Sequence, residues 1–224
     1  MIKATLIDFM GSDLSVANAA RVSFGKKSVC EKTRLFDLGD WCCDIPVVND
    51  KDTKLIKYLA KHKHFSPFGH CFATFHIKAP IFVARQLVKH EYLRMNEISR
   101  RYVDSEPEFY VPDVWRGRAK DKKQGSEGVV DEQFTDWQQW AYSLDTYKEM
   151  LSAGVAPEMA RMVLPQSMYT EWYWSGSMDA FANMCNLRLK EDTQYETRLV
   201  AQQIDEQMGK LYPVSWEALV HAEG

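Results

Sequence analysis

Residues 71–80 constrain the fold of this chain more than any other segment. Residues 71–77 form a short apolar run of β-favouring side chains, which is the pattern of a buried strand. Pro80 closes the run, and because proline is favoured in the first turn of a helix, the sequence predicts a helix from about residue 81 to 93. At least one strand therefore belongs to the core, and a helix follows it directly.

The other segments mix strand and helix patterns in no regular order. Runs of β-favouring residues predict further strands at 2–9, 108–111 and 168–174. The helical spacing of apolar residues predicts further helices at 52–62, 131–151, 157–163, 179–189 and from 193 onwards. Thr193 and Glu196 predict a capping box at the start of the last helix, whereas the composition of residues 115–130 predicts an exposed loop. This irregular mixture favours an α+β fold over a doubly wound sheet.

The length and composition favour one soluble domain. A chain of 224 residues and 26.0 kDa with 46% hydrophobic residues can bury a sizeable core. Its five cysteines are an odd number without a CxxC pair, which indicates a reducing compartment rather than a disulfide framework. The N-terminal residues lack the pattern of a signal peptide, and no window is apolar enough to span a membrane. We therefore expect a cytoplasmic protein without a membrane partner.

Positive charge is concentrated between residues 78 and 102. This segment has six Lys or Arg against two Glu, a net charge of +4 in a chain whose formal net charge is -3. No other segment extends this charge into a long basic stripe, so an anionic small ligand explains it better than a nucleic acid does. The chain also lacks the glycine-rich motifs of P-loop and classical dinucleotide-binding proteins.

The residues within this segment are of types that bind ligands. In the predicted helix, residues four apart share a face, which groups Gln86 with His90. Glu97, Ser99 and Arg101 alternate, so all three would project to one side if their segment is extended. Such a set could hold a uracil-like base edge, a sugar hydroxyl and a phosphate.

Several motifs together resemble the flavin-dependent thymidylate synthases. The signature of that family is Arg-His-Arg, seven residues and Ser, and here Lys89-His90-Glu91 precedes Ser99 at the same spacing. Further matches follow in the same order at 19–23, 64–68, 79–86, 96–97, 101–102, 160–165, 169–174 and 186–188. The resemblance therefore covers residues 19 to 210, approximately.

This resemblance implies a single catalytic domain over residues 1–224, with a central, mostly antiparallel sheet flanked by helices. It implies reductive methylation of dUMP to dTMP, with methylenetetrahydrofolate as carbon donor and FAD relaying reducing equivalents from NADPH. In this family no side chain attacks the uracil covalently, and carbon 5 becomes nucleophilic because the ring is polarised. The resemblance also implies a homotetramer whose active sites are shared between subunits.

The resemblance assigns residues to the nucleotide site that the residue pattern alone does not. Taken alone, Arg161 and Arg188 are interpreted as structural, because an isolated Arg near a helix end usually has a structural partner. The residues that would contact dUMP are Gln86, Lys89, Glu97, Ser99, Arg100, Arg101, Arg161 and Arg188. Arg188 and Ser99 would be catalytic, since Arg188 would favour ionisation at N3 of the base and Ser99 would lie near the base.

The FAD region is where this chain departs from the family. The residues that would contact FAD are His64, Ser66, Lys89, His90, Glu91, Glu97 and Asn183. Lys89 keeps the charge of the first signature Arg without its bidentate geometry, and Glu91 reverses the charge of the second. Arg94 is three residues beyond Glu91, on the same face of the predicted helix, and would replace the lost cation. We expect FAD binding to persist.

Two alternatives stay open at this point. The reversed charge of Glu91 motivates a non-catalytic, nucleotide-binding relic of the same family. The five histidines between residues 62 and 90 motivate a His-rich metal-binding module. His70 and His76 lie six apart on a predicted strand, too far apart to share one ion, so we predict no metal site.

Overall fold

The computed structural model describes residues 1–30, 32–37, 42–120, 125–132, 134 and 137–222, with only the backbone at 137 and 138. The strands are β1 (Lys3–Met10), β2 (Thr33–Asp37), β3 (Cys42–Pro46), β4 (Phe72–Pro80), β5 (Arg94–Glu97), β6 (Arg116–Arg118), β7 (Ser126–Val129) and β8 (Tyr169–Ser177). The helices are α1 (Asp13–Arg21), α2 (Asp50–Lys61), α3 (Ile81–Leu87), α4 (Trp137–Ser152), α5 (Pro157–Ala160), α6 (Met178–Arg188), α7 (Tyr195–Leu211) and α8 (Pro213–Trp216). Short 3-10 turns lie at Val22–Phe24, Phe68–His70 and Arg161–Val163, and a π-helical turn at Glu217–His221 ends the described chain.

An antiparallel sheet of four strands, in the order β1-β4-β8-β5, forms the centre of the fold. Strands β4 and β8 pair over nine residues, from Phe72 opposite Ser177 to Pro80 opposite Tyr169. The hairpins β2–β3 and β6–β7 form two separate two-stranded sheets. The antiparallel sheet with flanking helices confirms the predicted α+β class.

One face of the sheet forms the core because its side chains alternate along the strands. In β4, Phe75 and Ile77 are fully buried, whereas the intervening positions are partly exposed. Trp172 and Trp174 repeat this pattern in β8. Phe181 of α6 contacts both strands edge-on, at centroid distances of 5.3 Å from Phe75 and 5.6 Å from Trp174. The predicted strand at 71–77 is therefore the buried strand of the core.

Helix α7 is fixed to β1 by two glutamines. Gln203 accepts a hydrogen bond from the backbone N–H of Ala4 at 2.9 Å. Gln207 accepts one from the N–H of Leu6 at 3.0 Å and donates to the carbonyl of Ala4 at 3.0 Å. These bonds satisfy backbone groups of β1 and join the two ends of the chain.

The helix predicted at 81–93 is shorter than expected. Helix α3 ends at Leu87, and Tyr92 has a left-handed φ of 63° that turns the chain into β5. A turn over residues 88–92 replaces the last turns of the predicted helix, and Arg94–Glu97 then pairs with β8. His90 therefore does not share a helical face with Gln86, and Arg94 does not share one with Glu91. The helical spacing of residues 81–93 was misleading about the end of α3, because pairing with a strand far along the chain leaves no signal in the local sequence.

The segment 97–101 is extended only at its start. Ser99 accepts backbone hydrogen bonds from Tyr102 and Val103, both at 3.0 Å, and thus begins a turn. The prediction that Glu97, Ser99 and Arg101 project to one side of a strand is therefore wrong.

Two other local predictions are also wrong. Part of the loop predicted at 115–130 is a hairpin in which Arg116 pairs with Val129 and Arg118 with Ser126. The capping box at Thr193 does not form, because Thr193 donates to the carbonyl of Leu187 and the N-cap of α7 is Gln194. The carboxylate of Glu196 instead accepts hydrogen bonds from other side chains, which are described below.

All five cysteines are free thiols, and Cys71 and Cys185 are buried. Within the described ranges, no helix combines the length and apolar character that crossing a membrane requires. Six other predicted elements are present with shifted ends. They are β1 (predicted at 2–9), α2 (52–62), α4 (131–151), α5 with its 3-10 turn (157–163), β8 (168–174) and α6 (179–189).

Gly176 of β8 provides a test of how closely β8 packs on the turn before β5. A Cβ atom at this position would overlap the side chain of Leu93 and would lie 3.1 Å from the carbonyl oxygen of Tyr92. We expect Gly176→Ala to lower the free energy of unfolding by about 1–3 kcal/mol, measured by urea denaturation, because overpacking forces neighbours apart.

Gly69→Ala is the matched control, since a Cβ there would meet only Asp179 at 3.9 Å. A similar loss of stability in both variants would contradict the proposed packing of Gly176 against Leu93.

Candidate functional site

A cavity of about 420 Å³, here called the arginine cavity, opens where α3, β5 and β8 meet. Its polar lining residues are Arg85, Glu97, Ser99, Arg100, Arg161 and Thr170. Four of these residues, Glu97, Ser99, Arg100 and Arg161, were assigned to the nucleotide site by the sequence. The fold brings them together from two separate segments of the chain.

Sheet pairing holds the walls of the arginine cavity in place. Glu97 lies opposite Trp172 in the β5–β8 pairing, and the N–H of Ile98 donates to the carbonyl of Glu171 at 2.9 Å. The hydroxyl of Thr170 donates to the carboxylate of Glu97 at 2.7 Å. The N–H of Ile81 donates to the carbonyl of Met168 at 2.9 Å, which places the start of α3 beside β8.

The charges in the arginine cavity favour an anion. Three guanidinium groups, those of Arg85, Arg100 and Arg161, face a single carboxylate. Arg100 donates to the carbonyl of Ser105 and Arg161 to that of Glu158, neither of which neutralises the cation. Three arginines that converge on one cavity are a typical arrangement for binding a phosphate.

Arg85 was not assigned to the site from the sequence. It is exposed on α3 and has no hydrogen bond or ion pair to any residue that the structure describes. Its place directly before Gln86 in the matching segment 79–86 was the signal that could have identified it.

A second group of assigned residues, here called the Arg188 cluster, consists of Gln86, His90 and Arg188. The Nε of Arg188 donates to Nε2 of His90 at 2.9 Å, and a terminal nitrogen of Arg188 donates to the backbone carbonyl of Gln86 at 3.1 Å. The side chain of Gln86 is itself held by Gln194 at 2.5 Å and by Thr197 at 3.1 Å. The cluster thus fixes the direction of one guanidinium group.

His90 is neutral in this cluster. Burial and the nearby charge of Arg188 lower the pKa of His90 to about 4. Because Nε2 accepts the hydrogen bond from Arg188, the ring proton must lie on Nδ1. Burial also lowers the pKa of Arg188, whose guanidinium nonetheless stays protonated.

The remaining residues assigned to the nucleotide site belong neither to the arginine cavity nor to the Arg188 cluster. Lys89 is exposed and makes no hydrogen bond or ion pair within the described part of the chain. Arg101 lies on the surface, where it contacts Glu158 at 3.3 Å and stacks over the ring of Tyr102. Neither of them lines the arginine cavity.

A cavity of about 580 Å³, here called the His64 cavity, contains two of the residues assigned to FAD, His64 and Ser66. Lys26 supplies positive charge to its lining, whereas Arg21 is paired with the buried carboxylate of Asp52, and Tyr58 supplies an aromatic ring. The rings of Tyr58 and His64 lie 6.4 Å apart and nearly parallel. A flavin nucleotide has phosphate groups, which a cation can bind, and a flat heterocycle, which can stack on aromatic rings. The lining of the His64 cavity offers both kinds of contact.

The other residues assigned to FAD do not line the His64 cavity. Asn183 lines a smaller cavity of about 200 Å³ with Lys63 and Phe65, whose turn also carries His64 and Ser66. Glu91 is exposed on the turn after α3, next to His90 of the Arg188 cluster. Glu97 lines the arginine cavity instead.

The histidines do not converge on a shared point. Among the described residues, no group of three or more His, Cys, Asp or Glu is placed to hold a metal ion. His76 contacts Glu171 at 3.0 Å, and His62 packs against Tyr58 at a centroid distance of 4.2 Å.

Comparison with known proteins identifies the family. The sequence profile of the family described as thymidylate synthase complementing protein matches residues 5–214. The chain belongs to this family. The match includes both the arginine cavity and the Arg188 cluster, so the two groups occur within the part of the chain that the family shares.

Curated relatives of this chain are named flavin-dependent thymidylate synthase. The chain is 41% identical to the one from Thermus thermophilus over 220 residues, which cover 95% of this chain and 73% of the relative. It is 37% identical to the one from Kosmotoga olearia over 222 residues, 96% of this chain and 89% of the relative.

The fold of this family member also matches solved structures. The crystal structure of the UMP/dUMP methylase PolB from Streptomyces cacaoi, bound with 5-Br dUMP, aligns with a TM-score of 0.80 and 32% identity. The alignment covers 97% of this chain and 94% of PolB. A second PolB structure, bound with 5-Br UMP, aligns with a TM-score of 0.78.

The low pKa of His90 makes the stability of the protein depend on pH. The unfolded chain takes up a proton near the ordinary value of 6.5, before the folded protein does, so stability is lost as the pH falls from 6.5 towards about 4. We expect His90→Gln, which cannot be protonated, to reduce this loss in urea denaturation curves. An unchanged pH dependence in the variant would contradict the neutral, buried state of His90.

Proposed function

We propose that this chain is a flavin-dependent thymidylate synthase, which methylates carbon 5 of dUMP with methylenetetrahydrofolate as carbon donor and NADPH as reductant. The observation that carries the proposal is the arginine cavity, where the residues matching the family's nucleotide motif converge on a site suited to a phosphate. The names of the curated relatives support the same activity. We further propose that the enzyme acts in the cytoplasm.

The arginine cavity would bind dUMP through its phosphate. Arg85, Arg100 and Arg161 would donate to the phosphate oxygens, which carry the charge that the cavity favours. Ser99 and the carboxylate of Glu97, already oriented by Thr170, would contact the sugar or the base. These contacts position the uracil ring but do not by themselves make carbon 5 reactive.

Arg188 would polarise the uracil ring. Its guanidinium is held by His90 and by the carbonyl of Gln86, which leaves further N–H groups free to donate to the base. A fixed cation beside N3 and its neighbouring carbonyl would favour the ionised ring and increase the electron density at carbon 5. A neutral His90 suits this role, because a protonated ring would repel the guanidinium.

The proposed cofactor is FAD, whose chemistry is to supply the electrons that reduce the transferred carbon to a methyl group. His64 and Ser66, with the cation Lys26, would hold it in the His64 cavity. Asn183 would contact it from the adjacent smaller cavity. Glu91 would lie at the edge of this site, where exposure to solvent screens its negative charge.

The separation of the nucleotide residues into two groups favours active sites shared between subunits. The arginine cavity contains Glu97, Ser99 and Arg161, whereas Arg188 and Gln86 belong to a different cluster and do not line it. In a homotetramer, the cluster of one subunit would complete the cavity of another. Lys89 and Arg101, both exposed in the single chain, would contribute to such a composite site.

The likeness to PolB motivates UMP as a second candidate substrate. PolB is described as a UMP/dUMP methylase and aligns with this chain over nearly its full length. We therefore propose that UMP be assayed beside dUMP, since the two differ only in the 2′-hydroxyl of the sugar.

The activity is tested on the purified protein with bound flavin. We expect a yellow protein that is bleached by NADPH and that releases tritium from carbon-5-labelled dUMP when methylenetetrahydrofolate is present.

Arg188→Ala should lower kcat by about 100-fold or more, as expected when a group that stabilises developing charge is removed. Failure to take up FAD would contradict the proposal, and dUMP binding without turnover would instead support a non-catalytic relic.

Shared active sites are tested by mixing two inactive variants. Arg161→Ala alters the arginine cavity and Arg188→Ala alters the Arg188 cluster. If the two groups come from different subunits, unfolding and refolding the variants together should restore activity, because some mixed oligomers contain one intact site. Refolding each variant alone is the control, and no gain in the mixture would place both groups within one subunit.

A further inference from the structure

A cavity of about 490 Å³, here called the aromatic cavity, lies beside α3 and outside the proposed active site. Its walls include the rings of Phe82, Tyr110, Trp115 and Trp140. Cavities of about 300–1,000 Å³ with apolar walls and a few polar groups are typical of small-molecule sites. The proposed function uses none of these residues.

The hairpin β6–β7 forms one wall of the aromatic cavity. Arg116, Gly125 and Ser126 of the hairpin line it. A Cβ at Gly125 would lie 2.9 Å from the carbonyl oxygen of Asp192, so the hairpin packs directly on the segment before α7. The segment that the sequence predicted as an exposed loop thus builds part of a cavity.

The charged groups of the cavity neutralise each other. Arg116 forms an ion pair with Glu196, whose side chain is only 3% exposed. The same carboxylate accepts hydrogen bonds from Tyr110 at 3.0 Å and from Gln194 at 3.1 Å. Although burial raises the pKa of Glu196, the hydrogen bonds from Arg116, from its own backbone and from Tyr110, together with the charge of Arg116, outweigh it, so the net pKa is lowered and the group is ionised.

The charge of Arg116 is already paired with the carboxylate of Glu196. Its Nε donates to Ser126 at 3.0 Å, and its guanidinium stacks over the ring of Tyr195 at 4.5 Å. No other Lys or Arg belongs to the described lining. An uncharged ligand therefore suits the described lining better than a phosphate does.

One polar group of the lining points to a ligand. The hydroxyl of Ser167 is buried and has no hydrogen-bond partner among the residues that the structure describes. Such a group costs about 1–3 kcal/mol unless a partner is supplied. The rings of Phe82 and Tyr110, edge-to-face at a centroid distance of 6.0 Å, line the same cavity as Ser167.

We propose that the aromatic cavity binds an unphosphorylated nucleoside. Its flat heterocycle would pack against the aromatic walls, and its sugar hydroxyls would pair with Ser167 and neighbouring polar groups. The absence of a free cation in the described lining would exclude nucleotides. The cavity adjoins the proposed active site, because Gln194 of its lining accepts the hydrogen bond that holds Gln86 at 2.5 Å.

The experiment is titration of the purified protein with thymidine and with adenosine, followed by calorimetry and by tryptophan fluorescence. We expect saturable binding of at least one nucleoside, with a change in fluorescence because Trp115 and Trp140 line the cavity. The corresponding monophosphate, measured with dUMP in excess, should bind more weakly. Absence of binding by both nucleosides, or tighter binding of the monophosphate, would overturn the proposal.

Two variants locate the bound nucleoside. Ser167→Ala should weaken binding by about two- to tenfold, the effect of one lost hydrogen bond. Ser152→Ala, at the end of α4 and outside the lining, is the matched control. Equal affinity in both variants, or displacement of thymidine by dUMP, would place the nucleoside elsewhere and refute the proposal.

These measurements remain informative if the proposed synthase activity fails. Nucleoside binding and the Ser167→Ala effect require neither flavin nor turnover. A protein without synthase activity that still binds thymidine at Ser167 would separate the two proposals.

Discussion

The nine-residue antiparallel pairing of β4 with β8 is the interaction on which both the core and the candidate site depend. Its inward side chains pack against α6, and its outer edge carries β5, which ends at Glu97. Both strands also lead directly into the arginine cavity, since Pro80 begins α3 and Thr170 holds Glu97. A shift of the register by one residue would exchange the faces of the strands and dismantle the core and the cavity together.

The sequence predicted what depends on local pattern and missed what depends on distant contacts. Pro80 and the apolar run before it identified β4 and the start of α3 correctly. The end of α3 was missed because β5 forms only by pairing with β8, which lies far along the chain. Similarly, the spacing of Glu97 and Ser99 indicated a site, but only the fold adds Arg85 to the same cavity and joins His90 to Arg188.

The proposed active site has two parts that differ in their charge environment, the arginine cavity and the Arg188 cluster. The arginine cavity concentrates positive charge at a partly exposed surface, where a phosphate can enter and leave. Arg188 is more enclosed, and its partners are a neutral ring and a carbonyl rather than a carboxylate. Pairing with a carboxylate would have cancelled the charge that the uracil ring needs, so the neutral partners preserve it. The exposed Glu91 lies outside this arrangement.

The glutamines that join α7 to β1 have a consequence for how copies of this chain can associate. A strand at the edge of a sheet normally offers unpaired backbone groups on which a strand from another molecule can add. At β1 these groups are occupied by Gln203 and Gln207, so uncontrolled growth of the sheet is blocked at that edge. The opposite edge, β5, is only four residues long and carries Arg94 and Glu97, which are unfavourable for strand addition. Addition of a further strand is therefore disfavoured beside Ala4 and Leu6 at one edge and along β5 at the other.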